Sequence, residues 1–380
     1  MPPPATACVI GSMDLVRPLA LAGIRCAVVA PAGSPPQYSR LAAERLVWDD
    51  PWEEPARLVE RLAAWAETQQ VPPTLFYEED RDLVAISRQR DRLAAFHFLL
   101  PPADLVEDLV DKARFAGLAE RVGLPAPAAR VVQASGPPPD LQLRFPLILK
   151  PLTRRAFDRW HAVAGGAKAV TVDDAAELRR LWPLVVDAGL DVLAQEAVPG
   201  PETRIESYHA YVDPGGDVVA SFTGAKLRTR PLTNGFSTAL VITDAHDVAA
   251  LGREIVERLG LVGVLKADFK RRDDGSLALL EINPRFNLWH HLAARAGVNL
   301  PALVHADLTG EARPRVASPR PGATWVAPVQ DLLAARSDGV PLRKWLAFVA
   351  RADARSVAAW DDPLPFLRGV LWNRVRSRLA

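Results

Sequence analysis

Near residue 280 the chain reads ALLEINPRFNLWHHL, with Glu281, Asn283 and Arg285 at alternate positions and Pro284 among them. Leu279 and Leu280 mark a strand, and proline cannot donate to a sheet ladder, so acid, amide and guanidinium sit where a strand runs out. Just upstream, VLKADFKRRDDGSLALLEIN holds two β-rich runs joined through Asp274-Gly275, a pair that signals a two-residue hairpin turn. Counting outward from that turn sets Asp273 against Ser276 and Asp268 against Glu281. Opposed side chains on antiparallel strands lie ~5 Å apart, so two carboxylates there repel unless something compensates them. Asn283, two residues beyond Glu281, shares its face. Two carboxylates and an amide oxygen, with no His or Cys, form a ligand set for a hard cation such as Mg²⁺ that keeps water or phosphate oxygens elsewhere in its shell. A solvated hairpin face with Lys266 and Lys270 neutralising the acids fits this hairpin equally well.

Lysine usage adds a second clue. Of 46 basic residues only Lys112, Lys150, Lys168, Lys226, Lys266, Lys270 and Lys344 are lysine. In so arginine-biased a chain, each lysine marks a place where a compact, mobile point charge is preferred to a planar fork. Net charge is only +1, with acids and bases interspersed, so the basic stripe of a nucleic-acid binder is absent and no nucleic-acid partner is expected. Cys8 and Cys26 fall in apolar runs and read as buried thiols of a reducing compartment, not a disulfide. The first residues lack a signal peptide's basic and long apolar segments, and no apolar run reaches membrane-spanning length, so a cytoplasmic protein without a transmembrane segment is expected.

The elements that must position these residues follow from periodicity. ATACVIGS and RCAVVAP read as strands flanking the helix MDLVRPLALAG, a βαβ unit whose turn carries Gly11 but no G-x-G-x-x-G, which argues against a dinucleotide-dependent oxidoreductase. Helix PARLVERLAAWAETQQ, strand PTLFYEED and helix RDLVAISRQRDRLAAF continue an open parallel α/β sheet as far as Pro101-Pro102. Then come a helix LVDKARFAGLAERVG, a strand RFPLILKPL ending near Lys150, a polar loop over 152–166, helix DDAAELRRLWPLVVDAG and strand VLAQEAV. Beyond residue 200 alternating strands and the helix AHDVAALGREIVERLG give an α+β pattern.

With Asp268, Glu281, Asn283 and Arg285 in place, the sequence resembles the ATP-grasp superfamily, whose last motif is an acid on one strand followed by E-x-N-x-R on the next. The likeness covers roughly residues 5 to 310: DKARFAGLAERVGLPAPA resembles the opening of the ATP-grasp domain, FPLILKP its nucleotide-binding strand, VLAQEAVPGPE the hinge beneath adenine, and FTGAKLRTRP a carboxyl-lobe strand. FKRRDDGSLALLEINPRFNLWHHLAARAGVNLP is most similar to carboxylate-amine ligases, including the D-aspartate ligase branch. The resemblance implies an N-terminal α/β domain (1–104), an ATP-grasp domain of two α+β lobes clasping nucleotide (105–198 and 199–312) and a C-terminal extension (313–380).

It also implies roles. Lys112 and Lys150 would contact nucleotide phosphates; Glu196, Ala197 and Val198 would form the hinge, its backbone pairing with adenine; Glu202 would hold the ribose hydroxyls. Lys226 and Arg228 would approach the γ-phosphate, or instead position the acceptor, and Arg285 would stabilise charge on the transferred phosphoryl and acyl groups. Asp268, Glu281 and Asn283 would hold Mg²⁺, two ions in all, with Mn²⁺ able to substitute. The family's short glycine-rich phosphate loop is here the longer LTRRAFDRWHAVAGGAK, containing Arg154, Arg155, Trp160, His161 and Lys168. His290 and His291, adjacent in sequence, point apart and suit packing better than a zinc pair.

The implied activity is that of an ATP-dependent, ADP-forming ligase joining a small carboxylate to a small amine through an acyl phosphate. A non-catalytic Mg-ATP sensor or a carboxylase-type enzyme would share these motifs, and a homo-oligomer is allowed. The tail WDDPLPFLRGVLWNRVRSRLA is expected to form a basic amphipathic helix, with Arg368, Arg374, Arg376 and Arg378, docked on the body; an anionic membrane surface is the alternative.

Overall fold

The structure, a computed structural model, describes residues 4–48, 54–152 and 157–374. Arg154, Arg155, Arg376 and Arg378 lie outside the described residues. The N-terminal sheet contains strands β1 (Ala7–Ile10), β2 (Cys26–Ala30), β3 (Ala42–Val47) and β4 (Thr74–Tyr77), all parallel, in the order β3-β2-β1-β4. The apolar runs of β1, β2 and β4 are buried throughout, as a parallel sheet covered on both faces requires. Cys8 and Cys26 are free thiols in that core, and burial pushes the Cys26 thiol up to about 12.

The crossover helix Met13–Leu21 starts at Ser12, whose backbone N–H and hydroxyl donate to Glu78 at the end of β4, at 2.5 and 3.1 Å. Gly11 permits this approach: a Cβ there would lie 2.7 Å from the Glu78 carboxylate. A protein carboxylate therefore fills the crevice between β1 and β4, where open α/β sheets ordinarily receive a ligand.

Two further sheets follow, antiparallel except for the last strand pair of the larger one. The smaller has strands β5 (Ala129–Val132), β6 (Leu147–Pro151), β7 (Val170–Val172) and β8 (Val192–Glu196) in the order β5-β8-β6-β7. The helix expected over 109–123 is Lys112–Arg121, begun by Asp111, which caps it by accepting from Ala113 and Arg114, and a further helix that was not expected, Ala103–Val110, precedes it. The polar loop expected over 152–166 is also corrected: Phe157–Ala164 is helical, and Trp160 is buried against Leu149, Val172 and Trp182.

The larger sheet runs β13 (Leu277–Asn283), β12 (Gly263–Arg271), β9 (Ile205–Val212), β10 (Val218–Arg230), β11 (Phe236–Thr243), β14 (Thr324–Val326), β15 (Ala354–Arg355). Its last two strands belong to the C-terminal extension, so that extension completes the sheet of the preceding lobe. Helix Trp289–Arg295 joins the parts: Trp289 lies on Gly224 of β10, and one apolar cluster unites β1, β2 and helix Met13–Leu21 with Phe222, Leu240 and Trp289. The N-terminal domain and the larger lobe thus share a core.

The tail does form a helix from Leu364, wound as a π-helix over Leu367–Trp372. It docks on the N-terminal domain, where Asn373 donates to the Gly33 carbonyl at 2.7 Å and Gly369 lies so close to Pro35 that a Cβ would fall 2.6 Å from its Cα.

Candidate functional site

Between the smaller and the larger sheet lies a cleft of about 1350 Å³. One wall is the β13–β12 hairpin. Its turn differs from the sequence expectation: Arg271 faces Leu277 and Arg272 N–H donates to the Ser276 carbonyl, so the loop has three residues, Asp273 to Gly275, and register near it is shifted by one. A bulge at Leu280 then restores the register, and Asp268 stands opposite Glu281 after all. Lys266 faces Asn283 across the same pair.

The three oxygen donors are held differently. Asp268 is buried, receiving Lys266 Nζ at 2.7 Å and Ser207 Oγ at 2.5 Å. Glu281 is exposed to the cleft and accepts from Asn283 Nδ2 at 3.0 Å, while Asn283 Oδ1 accepts from Arg285 at 3.2 Å. All three line the cleft. The donor set is oxygen only, with the Glu281 carboxylate exposed at the cleft, and it fits a magnesium ion. Of the two expected neutralisers only Lys266 serves the hairpin acids; Lys270 turns to Glu202, 3.8 Å away.

The opposite wall comes from β6 and β8. Lys150 lines the cleft and its ammonium donates to Gln195 Oε1 at 3.0 Å. Burial depresses its pKa, against which the charges of Glu281 and Glu202 push back. Burial likewise lowers that of Lys270, opposed by Glu202 and reinforced by Lys226. Lys226 projects from β10 and has no hydrogen-bond or ion-pair partner among the described residues. Three ammonium groups therefore converge with two carboxylates in one cleft. Lys112 also lines it, its ammonium donating to the Pro151 carbonyl at 2.6 Å, where β6 ends. Lys168 lines it too, lying 3.8 Å over the Phe236 ring and so touching the other lobe.

At the hinge, Glu196 and Val198 line the cleft and Ala197 does not; its N–H donates to the Pro146 carbonyl at 2.8 Å. The Glu196 carboxylate is turned to Arg144, which approaches to 2.9 Å and holds it below the usual carboxylate range. Only backbone is left there to meet a ligand, and the Val198 N–H has no partner among the described residues. Glu202 lines the cleft beside Lys270.

Two expected catalytic residues are elsewhere. Lys226 and Arg228 should share a face, but register shifts on either side of Arg228 re-aim it, and its guanidinium grips Asp331 at 2.8 and 2.7 Å on the far side of the sheet. Arg285 does not line the cleft: it donates to the Glu78 carbonyl at 2.7 Å and reaches the site through two residues that do line it, Asp80, with which it pairs, and Asn283. Lys270 and Gln195, by contrast, belong to the cleft and were not assigned to it from the sequence. For Lys270 the signal was available, since it lies two residues from Asp268 and must share its face unless a bulge intervenes. His290 is buried with neither ring nitrogen bonded, and burial drives its pKa down to about 3.

A cleft between two lobes, in which lysines from both walls converge on a carboxylate hairpin, is the arrangement that the resemblance to ATP-grasp proteins implies. Comparison with known proteins agrees: residues 191–331 match the family described as ATP-grasp in the biosynthetic pathway with Ter operon. The chain is 25% identical over 234 residues to D-aspartate ligase of Enterococcus faecium, covering 58% of this chain and 55% of that protein. It is 27% identical over 215 residues to D-alanine–D-alanine ligase of Halorhodospira halophila, covering 53% and 66%. The chain thus spans between half and two thirds of these curated relatives. Among solved structures, an ADP complex of N5-carboxyaminoimidazole ribonucleotide synthetase superposes with a TM-score of 0.64 at 18% identity, over 84% of this chain and 81% of that one. Residues 191–331 thus match the ATP-grasp family, the fold is the ATP-grasp fold, and the curated proteins to which the chain is similar are ligases.

Proposed function

We propose that the protein is an ATP-dependent, ADP-forming ligase that joins a small carboxylic acid to an amine. The observation that carries this reading is the convergence of Lys150, Lys226 and Lys270 with Glu281 and Glu202 in one cleft. ATP and a carboxylate are both anions, and they meet only where fixed positive charge offsets their repulsion. The unpaired Val198 N–H suits adenine, Glu202 the ribose, and Lys112, Lys150 and Lys168 the phosphates, with Lys226 nearest the transferred group. Asp268, Glu281 and Asn283 would hold magnesium, which supplies further charge neutralisation at the phosphates.

The reaction balances without a protein nucleophile. A carboxylate oxygen bonds to the γ-phosphorus as the bond to the β–γ bridging oxygen breaks and ADP departs. The amine nitrogen then bonds to the acyl carbon, phosphate leaves with the electron pair of the acyl–oxygen bond, and the amine gives up a proton. Lys226, free of protein partners among the described residues, can follow the phosphoryl group through both steps. Arg285 is a positioning residue in this scheme, fixing Asn283 from the N-terminal domain.

The names of the curated relatives point to amino acids as the first substrates to offer. Pooled amino acids and small carboxylic acids are screened for ADP and phosphate release, with hydroxylamine added to intercept the activated acid as a hydroxamate. A hydroxamate with ADP is expected. Pyrophosphate would indicate adenylation, ADP release dependent on bicarbonate alone a carboxylase, and tight ATP binding without turnover a sensor; each would overturn the proposal.

A further inference from the structure

Among its described residues the C-terminal helix rests on the body through Gly369 and Asn373. On that inner side Asn373 donates to Gly33, and just before the helix Asp362 accepts from Ser39 Oγ at 2.5 Å and from Arg40 N–H at 3.1 Å. Asp361 pairs with the Arg40 guanidinium at 3.0 Å. Both acids of the segment are thereby engaged with the N-terminal domain. The outer side presents Leu364, Leu367, Leu371 and Trp372, between 41% and 58% exposed, and Trp360 just upstream is 96% exposed. Arg368 and Arg374 are exposed with them. From residue 363 to 380 the sequence has four arginines and no acid.

We propose that this outer face seats the protein on an anionic lipid bilayer. Leucine and tryptophan side chains would enter the boundary between headgroups and acyl chains while the arginines meet lipid phosphates, which is how an interfacial helix combines apolar area with positive charge. Charge complementarity selects this occupant over a second copy of the chain. A two-fold contact through the same face would set the arginines of each copy against those of the other. No described helix is long and apolar enough to cross a membrane, so the helix would lie in the surface plane. Its π-helical stretch lets Gly369 close on Pro35 while the leucines stay outside.

The full chain is sedimented with vesicles of phosphatidylcholine containing about one-third phosphatidylglycerol, and with phosphatidylcholine alone, at ~0.1 M salt. Partition into the anionic vesicles alone is expected. The double variant Leu367→Asp/Leu371→Asp should lower the partition coefficient at least ~10-fold and Arg368→Gln roughly fivefold, with melting temperature and ATP binding unchanged. Equal partition into both vesicles, or undiminished binding by the double variant, overturns the proposal. So does a dimer by light scattering that the double variant converts to monomer while no vesicles are bound, which would assign the face to a second copy.

Discussion

Replacing Arg228 separates a structural from a catalytic role for one of the two expected active-site cations that the fold turns away from the cleft. Its side chain is 13% exposed and that of Asp331 fully buried, with two short N–H···O bonds between them. Asp331 also accepts from Thr238 Oγ1 at 2.8 Å and Trp345 Nε1 at 3.0 Å, and the guanidinium rests 4.6 Å over the Phe348 ring. In Arg228→Met two of the four donors to the carboxylate vanish and a buried negative charge loses its counter-ion. Breaking one side of such a pair costs about 3–5 kcal/mol, which for a chain of this size lowers the melting temperature by roughly 4–6 °C. Arg228→Met/Asp331→Asn removes both charges and should recover most of that loss, because the penalty lies in the orphaned charge more than in the missing contact. Calorimetric melting of the four proteins of this cycle, with ATP turnover measured well below the transition, is the assay. Turnover per folded molecule should stay within a few-fold of the parent. A fall of ~100-fold or more in kcat with unchanged melting would refute the geometry and return Arg228 to the reaction.

Lys226→Met should show the reverse, a loss of ~100–1000-fold in kcat with stability altered by no more than about 0.5 kcal/mol, since the ammonium has no hydrogen-bond or ion-pair partner among the described residues. Melting that drops while turnover survives would place Lys226 in the scaffold. Glu281→Gln should abolish the dependence of ATP binding on Mg²⁺ in titration calorimetry; parent protein binding ATP equally well in EDTA would remove the metal site. Burial raises the Glu78 carboxyl to about 7, so the folded state holds a proton that the unfolded chain gives up near pH 4.5. Glu78 therefore costs stability progressively as pH rises between these values, by at most ~1.4 kcal/mol per pH unit, and Glu78→Gln should melt increasingly above the parent from pH 4.5 to 7 and by a constant margin beyond. A difference independent of pH would contradict the buried, protonated acid.

Local pattern made much of the framework legible. The parallel strands and the amphipathic helices Pro55–Glu67 and His246–Leu259 follow from periodicity, whereas Asp268 meets Glu281 as expected because the bulge at Leu280 cancels the one-residue shift at the turn. What stayed hidden depends on single-residue irregularities. Bulges leave no mark in hydrophobicity, so neither the restored register at Leu280 nor the re-aiming of Arg228 could be read, and the partner that captures Arg228 lies 103 residues away. The helix Phe157–Ala164 was missed because its polar residues mask a short apolar stripe that Trp160 anchors. Arg285 was legible as a site neighbour but not as a link between domains, since Asp80 approaches it only through tertiary packing.

The tapering of the large sheet bears on how the protein can be produced. Strand length falls from 13 residues in β10 to eight in β11, three in β14 and two in β15. The final short strands act as an end-stop, leaving little free ladder for another chain to join. A recombinant fragment cut near residue 312, the end of the second lobe as expected from the sequence, would expose β11 along its length and discard Asp331 with it. Such a fragment should accumulate as insoluble material, and a usable boundary lies no earlier than Arg355.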